Sequence, residues 1–337
     1  MAVTIRYNYS LLGHNTFGMN VRAARFISYG SVNELKEVLN MLCKERSMLH
    51  IGRGSNLLFT KDFEGTILHS EIRFTEIEAE EDETVFVRVG SGVIWDDFCD
   101  EMAKNNYYGV ENLSYIPGEV GAAAVQNIGA YGVEACETIK EVATVERATG
   151  RERIFVKDEC RYGYRDSIFK NELRGKYIVT AVLFRLSTKP AAHLDYGQLR
   201  DLRSSDTVPS AGAIRQAVIR IRQNKLPDPA TLGNAGSFFK NPIVPVGKYN
   251  ELAAHYAPVP HYMINEEQVK IPAAWLIEQC GWKGKKRGGA AVYGQQPLII
   301  VNQHRAEPED IIRLAAAIGR TVYDKFQIHL YPEVNYI

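Results

Sequence analysis

The chain has 337 residues, 45% hydrophobic and 24% charged, the composition of an ordinary soluble globular protein that can bury several cores without disulfide or metal staples. Lys plus Arg equals Asp plus Glu at 40 each, which excludes the one-sided field of a nucleic-acid binder or a membrane-surface protein, so a charged ligand has to be held by local chemistry. No apolar run approaches the roughly 20 residues of a bilayer span and Met1 to Asn8 carry no apolar signal region; Cys43, Cys99, Cys136, Cys160 and Cys280 are odd in number and lack a C-x-x-C pair, so reduced thiols in a cytoplasmic protein are expected rather than a disulfide framework or a zinc ribbon.

At roughly 150 residues per domain the length predicts two or three domains, and the elements read as three blocks, 1–70, 71–208 and 209–337. In the first, Ser31-Val32-Asn33-Glu34 is a capping-box signature, and Leu35, Val38, Leu39 and Leu42 follow at helical spacing. Met48 to Ile51 predicts a short strand leading into a glycine loop, with further strand segments at Leu57 to Phe59 and Thr66 to Leu68. In the second, the acidic run Glu76 to Glu83 predicts a solvated hairpin tip. Val85, Val87 and Val89 alternate as a strand, and Trp95 to Asn105 predicts a helix. Strands are expected at Glu141 to Arg147 and Tyr177 to Leu186, while the glycine-rich centre shows no regular period. In the third, Ile214, Val218 and Ile221 mark a helix stopped by Pro227 and Pro229. Pro272 and Pro308 open two further helices, Leu298 to Asn302 predicts a buried strand, and Ile328 and Leu330 alternate as a closing strand. The fold class is α+β.

Two stretches carry backbone chemistry. Gly52-Arg53-Gly54-Ser55-Asn56 follows a strand, and its glycines let successive N–H groups converge on an anion; alone, the same five residues also fit a tight turn. Residues 115–132 are rich in glycine and alanine, which lets a flat ligand lie against the main chain. Gln126 and Asn127 offer both donors and acceptors to a heterocycle edge. A close helix–helix contact is the competing reading. Together the two stretches predict a cradle for the pyrophosphate of a dinucleotide. Neither is a Rossmann fingerprint, since G-x-G-x-x-G is absent and no acidic residue is placed for a ribose.

Three further segments offer catalytic side chains. Tyr164-Arg165-Asp166-Ser167 places a planar guanidinium suited to a carboxylate, or a surface ion pair. Ser237, in Gly236-Ser237-Phe238-Phe239-Lys240-Asn241-Pro242, is not in a G-x-S-x-G elbow, and a hydroxyl there is better suited to giving a proton than to hydrolysis. Glu333, fixed by Pro332, is either a solvent-facing end or a site group. The basic run Lys283, Lys285, Lys286 and Arg287 reads as a solvated loop or a nucleotide lure.

These segments, with Asn15-Thr16-Phe17-Gly18, Gly54-Ser55-Asn56-Leu57-Leu58-Phe59, Ile116-Pro117-Gly118 and Gln126-Asn127-Ile128-Gly129-Ala130-Tyr131-Gly132, resemble the UDP-N-acetylenolpyruvoylglucosamine reductase family in its own motif order over nearly the whole chain. Leu194-Asp195-Tyr196-Gly197 resembles the tyrosine loop of its type I branch. Ala124 departs from the proline that many relatives carry there. The resemblance implies a vanillyl-alcohol-oxidase/PCMH-type FAD-binding fold in two subdomains, 1–70 and 71–208, and a small C-terminal substrate domain, 209–337, whose last residues return to the FAD domain.

The resemblance also implies roles. FAD, held without a covalent bond, would contact Arg53, Gly54, Ser55, Asn56, Pro117, Gly118, Gly121, Ala122, Gln126, Asn127, Gly129, Ala130, Tyr131 and Gly132. NADPH would reduce it and leave. The enolpyruvyl group of UDP-N-acetylenolpyruvoylglucosamine would then take hydride from flavin N5 at C3 and a proton from Ser237 at C2, giving UDP-N-acetylmuramate. Arg165 and Glu333 would stabilise the charge that develops on C2 and its carboxylate. Tyr164, Tyr196, Lys225 and Asn241 would hold the substrate. A cytoplasmic monomer with no nucleic-acid or membrane partner and no metal is expected. The competing functions are an FAD-dependent oxidase of an alcohol or sugar and a silent sugar-nucleotide sensor.

Overall fold

The computed structural model describes residues 3–45, 47–204 and 208–337. They form two units: one takes in the chain up to Tyr9, Arg22–Arg53 and Phe63–Asn224, the other Ser10–Val21, Gly54–Asp62 and Lys225–Ile337.

The first unit holds two sheets. One orders the strands Thr4–Ser10, Arg22–Tyr29, Phe63–Ser70 and Met48–Ile51, with Phe63–Ser70 parallel to both neighbours. Parallel neighbours need a crossover, and the helix Val32–Met41 supplies one. It starts where Ser31 Oγ accepts the Glu34 N–H at 3.1 Å. The Glu34 carboxylate reaches one residue past the expected position and accepts from Gly30 N–H at 2.6 Å. Leu35, Val38 and Leu39 bury against Ile27, Tyr29 and Leu68.

The other sheet has five antiparallel strands, in the order Glu152–Val156, Ile139–Glu146, Tyr177–Ser187, Thr84–Gly90 and Thr75–Glu81. Val85, Val87 and Val89 turn inward against Trp95 and Phe98 of the helix Trp95–Lys104. The acidic run expected as a hairpin tip is instead mostly strand. Thr75–Glu81 is the sheet's edge and only Asp82 and Glu83 turn; a solvated edge tolerates a row of carboxylates and is shielded by them. The glycine-rich centre is corrected too. Val120–Gln126 is a helix, with Val120, Ala123 and Ala124 buried. Gly118, at φ 145°, precedes it and Asn127, at φ 47°, ends it.

In the second unit, Asn234–Ser237, Ile299–Asn302, Ala290–Val292 and Lys286–Arg287 make a four-stranded sheet. The helix Pro308–Phe326 buries Ile311, Leu314, Ile318 and Val322. Ile328 and Leu330 are buried with His329 exposed between them, yet form no strand. Among the described residues they have no ladder partner; the closing strand is Asn335–Tyr336, parallel to Leu57–Leu58. Among the described residues no helix is long and apolar enough to cross a membrane.

Candidate active site

The strand Met48–Ile51 delivers the glycine loop. Among the described residues, the N–H groups of Gly52, Arg53, Gly54 and Ser55 have no acceptor within the protein. A run of unpaired N–H groups in a turn is the donor set an anion needs. Gly54 sits at φ 66°, and a methyl there would collide with the His14 carbonyl. Its own carbonyl accepts from Thr16 N–H at 3.3 Å. Asn15 holds that approach rigid: its amide donates to the Leu11 and Met19 carbonyls and accepts from Met19 N–H at 2.8 Å. Thr16 Oγ1 is buried with no partner among the described residues, so a polar group of a bound molecule would complete it. These observations fit a pyrophosphate.

In the first unit, the 115–132 stretch divides between surface and scaffold. Pro117, Ala122 and Gly132 are exposed and Gln126, Gly129, Ala130 and Tyr131 are half-buried, while Gly118 is buried. Gly121 faces inward, where a methyl would press on Ser91, and its N–H goes to the Ser91 carbonyl at 3.0 Å. Its small size is therefore accounted for by packing. Asn127 is fully buried and fully engaged. Its amide donates to Glu134 at 3.0 Å and to the Gly163 carbonyl at 2.8 Å, and its oxygen accepts from Cys136 N–H at 3.0 Å. It ties three segments together. Gln126 accepts from Lys170 at 2.7 Å.

Arg165 folds back onto this stretch. Its guanidinium donates to the carbonyls of Asn127 and Gly129 and pairs with Glu134 at 3.2 Å, with 15% of its side chain exposed. It lies 5.1 Å from the Tyr164 ring. Tyr196 is 40% exposed and meets Tyr131 edge-on at 6.0 Å.

The second unit brings Ser237 and Glu333 onto adjoining stretches. Glu333 N–H donates to the Phe238 carbonyl at 2.8 Å, and Lys240 N–H donates to Tyr331 at 2.9 Å. Ser237 is exposed beside the buried Phe238. Asn56 of the glycine loop donates to the Glu333 carbonyl at 3.2 Å, so that loop and the Glu333 segment are stitched to each other. Asn241 Oδ1 accepts from Ala273 N–H at 2.9 Å and so fixes the start of the helix Ala273–Gln279. Lys225 is exposed at the end of the helix Ala211–Lys225.

Two groups escaped the reading of the sequence. Thr16 lay inside a quoted motif without a role. Glu119, a carboxylate inside a run of glycine and alanine, is 3% exposed and faces His69 at 3.7 Å; a charge in such a run was the available signal.

A run of unpaired N–H groups suits the pyrophosphate of a dinucleotide, and the family matches make the class that of the FAD-dependent oxidoreductases. An FAD binding domain family matches residues 23–154, and the C-terminal domain of UDP-N-acetylenolpyruvoylglucosamine reductase matches residues 228–337. The chain is 51% identical over 331 residues to the UDP-N-acetylenolpyruvoylglucosamine reductase of Bacteroides fragilis (strain YCH46), covering 98% of this chain and 99% of that one. It is 45% identical over 336 residues to that of Porphyromonas gingivalis (strain ATCC 33277), covering 99% of each. The crystal structure of the Thermus caldophilus reductase superposes with a TM-score of 0.68 at 21% identity, covering 100% of this chain and 99% of that one, which shows a shared fold. The chain belongs to the UDP-N-acetylenolpyruvoylglucosamine reductase family.

Proposed function

We propose that this enzyme reduces the enolpyruvyl ether of UDP-N-acetylenolpyruvoylglucosamine to UDP-N-acetylmuramate at the expense of NADPH, in the synthesis of peptidoglycan precursors. The observation that carries the reading is near-complete coverage at 51% identity by a reductase of that name, with Arg165, Ser237 and Glu333 all present. FAD, when bound, supplies the hydride chemistry, taking two electrons from NADPH and releasing them to carbon. The N–H groups of Gly54 and Ser55 would hold its pyrophosphate, with Thr16 Oγ1 beside them.

The protein's side chains then have three tasks. Hydride arriving at C3 leaves negative charge on C2 and the adjoining carboxylate. Arg165, already oriented by two carbonyls and by Glu134, offers that carboxylate a fixed donor, and preorganisation of this kind avoids reorganisation in the transition state. Ser237 gives its hydroxyl proton to C2, which completes the lactyl ether. Glu333, whose backbone is bonded to the Phe238 carbonyl, supports that transfer. Tyr164, Tyr196, Lys225 and Asn241 orient the nucleotide.

The test is anaerobic. NADPH should bleach the yellow protein, and UDP-N-acetylenolpyruvoylglucosamine should restore the colour in one turnover. Reoxidation by oxygen but not by this substrate would overturn the reading.

A further inference from the structure

Behind the Gly52–Arg53 turn lies a buried polar cluster that the proposed chemistry does not use. Glu119 stands at the start of the helix Val120–Gln126 but its side chain makes no capping bond to that helix. The carboxyl instead packs against the turn. Its Oε2 would lie 3.0 Å from a methyl added at Gly52, with Ala122 as the next neighbour of that methyl at 3.4 Å. Its Oε1 is 3.7 Å from His69 Nε2.

The protonation pattern follows from who can donate. His69 Nδ1 lies 3.2 Å from the Ile51 carbonyl. A carbonyl only accepts, so Nδ1 carries the hydrogen, and in a neutral imidazole Nε2 is then a lone pair. A lone pair facing a carboxyl is complemented by COOH, not by COO⁻. The surroundings divide. Arg53 from the turn and Arg73 beyond the strand Phe63–Ser70 favour the anion, and Glu71 opposes it. Tyr29, on the strand Arg22–Tyr29, feels the same carboxyl. His50 is paired through Tyr29, whose hydroxyl is 2.7 Å from its Nε2. Burial outweighs the two arginines and lifts Glu119 to about 8. Burial likewise holds His69 below the usual histidine range.

We propose that Glu119 is a proton-dependent positioning residue of the FAD cradle: as the neutral acid it packs the Gly52–Arg53 turn against residues 119–122 and admits an anionic ligand, and as the carboxylate it repels the diphosphate. The inference rests on the reading of these residues as the pyrophosphate cradle. Binding of FAD is then linked to uptake of one proton once Glu119 is ionised in the free protein. A like charge in the same partly buried surroundings weakens binding by about 10- to 100-fold. A diphosphate diester stays ionised throughout this range, so the proton belongs to the protein.

The experiment uses the full chain stripped of FAD, with binding followed by flavin fluorescence and by calorimetry in two buffers of different ionisation enthalpy. For the wild type, Kd should be flat to about pH 7 and then rise towards tenfold per pH unit. Proton uptake per FAD should climb from near zero at about pH 6 towards one at about pH 9. Glu119→Gln and Glu119→Leu, whichever folds, should lose both the rise and the proton uptake. Ala122→Trp tests the underlying reading, because it adds bulk at an exposed cradle position without entering the core. FAD binding unchanged in Ala122→Trp would overturn the cradle. If Ala122→Trp abolishes binding but the wild type takes up no proton at about pH 9, or if Glu119→Gln keeps the wild-type profile, the cradle stands and the role of Glu119 is wrong.

Discussion

A serine hydroxyl is a poor acid, so Ser237 can protonate carbon only where the alkoxide it leaves behind is stabilised. Removing it should therefore affect one half-reaction. Ser237→Ala is expected to lower turnover by about 10²–10⁴-fold while bleaching by NADPH keeps its wild-type rate; stopped-flow absorbance of each half-reaction measures both. Loss of bleaching as well would move Ser237 from proton transfer to cofactor or nucleotide binding. Arg165 presents a different case. Its guanidinium spans the Asn127 and Gly129 carbonyls and Glu134 together, a planar fork that lysine cannot reproduce. Arg165→Lys should thus keep the charge and still lose most activity, as a steady-state kcat comparison would show.

Elements are set by a few side chains that tie backbone together. The helix Val120–Gln126 is only seven residues long, too short to stand on propensity. It persists because Val120, Ala123 and Ala124 are buried and because Asn127, in the left-handed region, engages Glu134, Gly163 and Cys136. Asn127→Ala should cost about 2–4 kcal/mol, since it leaves buried donors and acceptors unpaired; the shift of the urea midpoint reads it. By contrast, Ser31→Ala removes a single cap from the helix Val32–Met41 and should cost about 1 kcal/mol. The asymmetry separates a hub from an ordinary helix start.

At the scale of the whole molecule, two buried groups set opposite limits on stability with pH. Burial lifts Glu119 from 4.5 to about 8, so between those values the folded chain holds a proton that the unfolded chain has lost, and stability falls as pH rises. Burial lowers His50 from 6.5 to about 3, so between those values the unfolded chain holds the extra proton, and stability falls as pH falls. Each slope is at most about 1.4 kcal/mol per pH unit. Between 4.5 and 6.5 the two oppose each other; below this window His50 prevails and above it Glu119 does. The apoprotein should melt highest at mildly acidic pH. Glu119→Gln should remove the alkaline fall, and His50→Gln the acid one, by thermal scans across pH. A melting profile that keeps its alkaline limb in Glu119→Gln would refute this assignment.

Amphipathic helices, alternating strands and glycine turns are local patterns, and the sequence alone determined them: the helices Trp95–Lys104 and Pro308–Phe326, the strand Met48–Ile51 and the loop after it lie where the periodicity puts them. The ordered motifs were legible for the same reason, and with them the family and its FAD. Pairing was not legible, because it depends on residues far apart in the chain. Thus the acidic run Thr75–Glu81 became an edge strand only because Thr84–Gly90 lies beside it, and the alternating Ile328 and Leu330 found no ladder partner among the described residues. Side-chain commitment was decided in the same way. From sequence, Asn127 and Gly121 read as ligand contacts; folded, one is a buried hub and the other a close packing contact. Glu119, one letter in a glycine–alanine run, faces His69 only because distant strands bring the two together. Burial and proton affinity belong to that tertiary environment, since both are set by whatever the folded chain places around a group.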